Sequence, residues 1–171
     1  MKASPKAVAK THSEIQADNR PRLVRWRPAI EVVLLLIAGG MLFFMAVFNG
    51  QTYDEIAHIN TGLAFWTQGR PSLDLLHPPL RAVLALPAWW LLCPAPQDFL
   101  TPFPPAQASA VLLGARVILI GLFLGWSWIF GRLAGRWLGV HVGLAALSLI
   151  LFEPTMTAHA CLATTDILFM M

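Results

Sequence analysis

Ala29-Ile30-Glu31-Val32-Val33-Leu34-Leu35-Leu36-Ile37-Ala38-Gly39-Gly40-Met41-Leu42-Phe43-Phe44-Met45-Ala46-Val47-Phe48 is a run of apolar residues interrupted by a single charge, Glu31. About twenty residues at 1.5 Å each reach roughly 30 Å, the thickness of a bilayer hydrocarbon core, so the run predicts a membrane-spanning helix. A secretory leader fits less well. The preceding tail is long, the run exceeds an ordinary leader core, and no small-x-small cleavage site follows it. The 171-residue composition agrees with an integral membrane protein: 57% of residues are hydrophobic and 12% charged, and the mean hydropathy is +0.63.

The 28 residues before this run carry Lys2, Lys6, Lys10, Arg20, Arg22, Arg25 and Arg27 against Glu14 and Asp18. Residues 1–28 read as a disordered basic tail, and the arginines next to the span place it on the cytoplasmic side, near anionic lipid. Reading the tail as a nucleic-acid-binding arm suits a membrane-anchored chain poorly. Residues 29–171 form the membrane domain.

Beyond the first span the period changes. Ile56, Ile59, Leu63 and Trp66 recur at helical spacing, with Asp54, His58 and Thr61 on the opposite face, which predicts an amphipathic helix with a water-facing side. Gly69 and Arg70-Pro71-Ser72 end it, and Pro78-Pro79 holds His77 on an extended loop. Residues 80–93 are apolar but too short to cross and are broken by Arg81 and Pro87, so they read as interfacial or re-entrant. Residues 108–130 form the second span, and Gly131-Arg132-Leu133-Ala134-Gly135-Arg136 reads as a second cytoplasmic basic loop. A third span runs from about 138 to 152 and returns the chain to the outer side at Glu153-Pro154, before Asp166. An apolar run beginning at Ile167 reads as a fourth span that is cut short. The predicted architecture is all-α: three transmembrane helices, with amphipathic or re-entrant helices in the first outer loop.

Three polar clusters therefore face one side: Asp54-Glu55 with His58, then His77, then Asp166. A carboxylate at the membrane surface suits a general base, which makes Asp54 the candidate catalytic residue, although Asp is also a preferred helix N-cap. Arg116 lies inside the second span, where an unpaired guanidinium is costly. It either snorkels to headgroups or meets a phosphate. Arg81 is a second phosphate candidate or an ordinary headgroup anchor. Asp54 and Asp166, with the neighbouring histidines, form a candidate divalent-metal set, while an Asp54–His58 hydrogen bond one turn apart explains the same pair. Cys93 and Cys161 match no metal or redox spacing.

In order along the chain, Asp54-Glu55 with His58, His77-Pro78-Pro79-Leu80, Arg116 and Asp166 resemble the lipid-carrier-dependent glycosyltransferases of the GT-C class. The resemblance is to the branch holding protein O-mannosyltransferases and aminoarabinose transferases, and it extends over about residues 29–171. It implies sugar transfer from a polyprenyl-phosphate donor to an acceptor hydroxyl at the outer face of the cell membrane. Asp54 would act as base, and Glu55, His58, His77, Arg81, Arg116 and Asp166 would bind substrate. Because members of that class have about a dozen spans, the resemblance also implies that this chain is an amino-terminal portion whose later spans complete the site. A non-catalytic reading stands beside it, as a transporter segment, an assembly factor or an inactive remnant.

Overall fold

The computed structural model describes residues 22–68, 81–92 and 105–164, and every regular element among them is α-helical. The elements are α1 (Arg22–Phe48), α2 (Tyr53–Gln68), α3 (Arg81–Leu84), α4 (Leu86–Leu92), α5 (Pro105–Leu138), α6 (Val140–Phe152) and α7 (Pro154–Ala160). Two of them, α1 and α5, are long and apolar enough to cross a membrane. The bent pair α6–α7 is a third candidate, with its two halves meeting at 59°. Residues 165–171, where the truncated fourth span was expected, lie outside the described residues, as do His77 and Asp166.

α1 starts at Arg22, earlier than the tail boundary at residue 28 suggests, and runs through Pro28. Its first turns are held by one contact within the helix and one across to α5. Arg27 pairs with Glu31 one turn ahead at 2.6 Å, and its guanidinium also donates to the Gly131 carbonyl at 3.4 Å. The opposite end of α1 meets the first half of α5, since Arg116 donates to the Ala46 carbonyl at 2.6 Å. The two helices are therefore antiparallel, and their termini pair at both ends. The outward side of α1 shows Val32, Leu36, Ile37, Phe44 and Phe48, an apolar surface suited to lipid.

The largest departure from expectation is at 131–136, predicted as a basic loop. These residues are helical, and α5 continues unbroken to Leu138. Its 34 residues span about 51 Å at 1.5 Å each, so its end extends past the hydrocarbon. The turn into α6 is a single residue, Gly139, whose φ of 100° belongs to the region glycine alone enters freely. Gly131 and Gly135 do not break the helix. They let α6 approach: a Cβ on Gly143 would stand 2.6 Å from both the Gly131 oxygen and the Gly135 Cα. Small residues four apart on one helix, facing a third on its neighbour, are the usual means of close helix contact where no hydrophobic effect drives association.

α6 is only 13 residues long, about 20 Å at 1.5 Å each, so alone it falls short of a bilayer. Pro154 cannot donate to the preceding turn. Glu153 is extended there, and its carboxylate accepts the Met156 N–H at 2.6 Å, starting α7 on a new axis. α3 and α4, four and seven residues long, are each too short to cross. They lie against α2 and α5 through Ile59, Leu63, Ala85, Ala88, Val111 and Ala115. Trp66 fixes this packing by donating its indole N–H to the Ala82 carbonyl at 2.7 Å and stacking on Trp89.

The α5–α6 contact yields a direct test. Gly143→Val places two methyl groups against backbone and costs about 1–3 kcal/mol, read as a lowered thermal midpoint of the detergent-solubilised protein. At Gly121, where an added Cβ meets nothing within 4 Å, an alanine leaves the midpoint unchanged or slightly raised. Equal midpoints for Gly143→Val and the parent chain would contradict this packing.

Candidate functional site

Asn49-Gly50-Gln51-Thr52 separates α1 from α2, and Thr52-Tyr53-Asp54-Glu55 has the Thr-x-x-Glu spacing of a capping box. The reach-back half of that box is formed. Glu55 Oε2 accepts the Thr52 N–H at 3.0 Å and the Thr52 hydroxyl at 3.1 Å. Asp54 is in the first turn and exposed, with no role as the N-cap.

Glu55, in contrast, is 0% exposed. Arg116 of α5 meets it side-on, with Nε donating to Oε1 at 2.7 Å and Nη2 to Oε2 at 2.8 Å. Oε1 also accepts the Ala163 N–H at 2.8 Å, which brings in the segment after α7. The remaining guanidinium donors go to the end of α1. Nη1 donates to the Ala46 and Asn49 carbonyls at 2.6 and 2.8 Å, and Nη2 to the Gly50 carbonyl at 2.8 Å. A helix C-terminus leaves carbonyls without intrahelical donors, and a guanidinium there satisfies them and suits the dipole. A guanidinium has five N–H donors, and each has a protein acceptor here. Asn49 adds a contact to the same junction, its amide donating to Cys161 Sγ at 3.4 Å.

These bonds give Arg116 a role other than the one expected. It is 3% exposed and neither snorkels nor has a donor left for a lipid phosphate, because protein carbonyls and Glu55 take them all. The geometry gives it a positioning role: it ties α1, α2 and α5 together and holds Glu55 in place. Arg81, expected as a phosphate ligand or headgroup anchor, is only 4% exposed and packed within α3. The polar face of α2 does not meet water. His58 is 6% exposed, and Asn60 and Thr61 are buried as well, with the Thr61 hydroxyl donating to the Ala57 carbonyl at 2.7 Å. Of the predicted polar stripe Asp54 alone is exposed. The structure thus brings Glu55 and Arg116 together, with Asp54 beside them. Among the described residues no group of three His, Cys, Asp or Glu side chains could hold a metal, and the expected Asp54–Asp166 pair cannot be traced because Asp166 lies outside them.

A cavity of about 300 Å³ opens next to the Arg116 junction. Ala46 and Val47 of α1 and Leu112 and Leu113 of α5 wall it, with Gln51, Ser109 and Arg116 as its polar side. Arg116 thus joins this recess to Glu55, and Asp54 is the exposed residue next to Glu55 in the chain. No known protein family, curated protein or solved structure matches the chain.

Burial by itself pushes the Glu55 carboxyl up. The hydrogen bonds from Arg116, Ala163 and Thr52, together with the Arg116 charge, outweigh that and hold it below the ordinary value of 4.5. A carboxylate depressed in this way contributes stability that is complete above its unfolded value and lost as pH falls through its folded one. The thermal midpoint should therefore decline as pH drops below 4.5. Glu55→Gln should lower the midpoint at neutral pH and shrink that acid limb. An acid limb of full size in the Gln variant would remove Glu55 from this account.

Proposed function

We propose that this chain supplies the amino-terminal wall of a membrane site that transfers a sugar from a polyprenyl-phosphate donor to an acceptor hydroxyl, with Asp54 as general base. The observation that carries the proposal is an exposed carboxylate, Asp54, next in the chain to the immobilised Glu55, whose partner Arg116 lines a recess that is part apolar, part polar. A lipid-held donor needs apolar walls for its tail and an aqueous side from which the acceptor arrives. Asp54 takes the acceptor proton as the acceptor oxygen bonds to the anomeric carbon, and the carbon–oxygen bond to phosphate breaks to release polyprenyl phosphate. Fixing the base within a fraction of an ångström matters as much as its basicity, and the bonds to Glu55 provide that rigidity. Stabilisation of the leaving phosphate falls to groups other than Arg116, either His77 or a divalent metal that Asp166 would help to hold and that would supply positive charge there.

In this proposal the cell membrane is the site of action. The end bearing Asp54 is external, and the end bearing Arg25, Arg27, Arg132 and Arg136 is cytoplasmic, in keeping with the bias of basic residues toward that side. A second reading, a non-catalytic membrane assembly unit, draws on the complete satisfaction of Glu55 and Arg116, since a pair without a spare donor suits structure as well as chemistry.

One substitution separates the two readings. Asp54→Asn keeps the side-chain volume but removes the basic oxygen. In native membranes supplied with a synthetic polyprenyl-phosphate sugar, it should lower transfer by about a hundredfold or more while the amount of folded protein stays constant. Transfer at the parental rate would exclude Asp54 as the base and leave the assembly reading.

A further inference from the structure

At the end of the bundle opposite Glu55, a second buried carboxylate has a different set of partners. Glu31 of α1 is 2% exposed. Its Oε1 accepts Arg27 Nε at 2.6 Å, and its Oε2 accepts Arg132 Nη2 at 2.8 Å and the Trp128 indole N–H at 3.3 Å. Arg132 also lies over the Trp128 ring, 5.2 Å from its centroid. The Arg27 guanidinium crosses the α1–α5 seam to lie against Gly135, and the next residue, Arg136, is exposed one turn beyond Arg132.

Two guanidinium groups, Arg27 and Arg132, thus share one carboxylate, leaving one positive charge in excess, and Arg136 adds another one turn further along α5. The other described carboxylates, Asp54, Glu55 and Glu153, are at the far ends of these helices. Arg116 has all its donors spent in protein, whereas here donors remain. Arg132 engages Glu31 through Nη2 alone, and Arg136 has no carboxylate partner among the described residues. Positions 128, 132 and 136 share one stripe of α5, so the remaining donors point the same way. Trp26 and Trp137, the latter 75% exposed, stand at this same end, and exposed tryptophan at a helix end marks headgroup depth.

We propose that this seam binds the phosphate of an anionic glycerophospholipid headgroup, with Arg132 and Arg136 as its ligands and Glu31 as the group that fixes the Arg27 and Arg132 side chains. Planar guanidinium forks match phosphate oxygens, and a net positive seam at headgroup depth selects anionic over zwitterionic lipid. The site is independent of the sugar-transfer proposal, which concerns the other end of the bundle.

The test is lipid selectivity of the chain reconstituted in phosphatidylcholine vesicles containing trace spin-labelled phosphatidylglycerol or spin-labelled phosphatidylcholine. The protein-immobilised fraction is read by electron paramagnetic resonance. The expected result is preferential immobilisation of phosphatidylglycerol, reduced roughly fivefold by Arg136→Gln, the effect of one basic side chain near a membrane surface, and only partly restored by Arg136→Lys, which keeps the charge but not the fork. Equal immobilisation of the two lipids by the parent chain would overturn the proposal. So would unchanged selectivity in Arg136→Gln, or full parental selectivity in Arg136→Lys, which would reduce the site to unspecific charge.

Discussion

An arginine inside a membrane bundle must be paired within protein or drawn to water, and Arg116 is paired completely. Its two contacts with Glu55 and three with the end of α1 join three helices at one point. The bond from Ala163 to the same carboxylate adds the segment after α7. Removing one partner of such a pair leaves the other charge buried and costs about 3–5 kcal/mol, a large share of the margin of a small domain. Replacing both by well-fitted apolar groups costs much less. The pair therefore specifies where the helices meet more than it adds net stability.

That junction decides what the Asp54 end can present. With Glu55 turned inward and His58, Asn60 and Thr61 covered, Asp54 is left as the exposed acidic group of α2, positioned by its neighbour's bonds. The other end is built on the opposite principle. Glu31 neutralises one of the two arginines it contacts, and Arg132 and Arg136 stay exposed. One carboxylate–arginine arrangement is closed and the other open, so the same chemistry locks helices together at one end and leaves charge exposed at the other.

Much of the helical layout was legible in residue pattern. The run ending at Phe48, the long apolar stretch of α5 and the inability of residues 80–93 to cross all follow from length and hydropathy. Gly131 to Arg136 was misread because two glycines and two arginines resemble a loop. Their physical reasons, the close approach of Gly131 and Gly135 to Gly143 and the contacts of Arg132 with Glu31 and of Gly135 with Arg27, reside in neighbours distant in the chain. The polar stripe of α2 was visible as a stripe, but periodicity does not say whether water or another helix covers it. Glu55 carried a local signal in Thr52-x-x-Glu55, whereas its pairing with Arg116, 61 residues away, carried none beyond the general need of a buried arginine for an acid.

The central claim, that Glu55 and Arg116 act as one unit, is tested most directly by a double-mutant cycle. It compares the unfolding free energies of the parent chain, Glu55→Leu, Arg116→Met and the double variant in the same detergent. The account predicts that each single change is more harmful than its share of the double, with a coupling of about 2–3 kcal/mol. Additive effects, with the double variant destabilised by the sum of the singles, would contradict it.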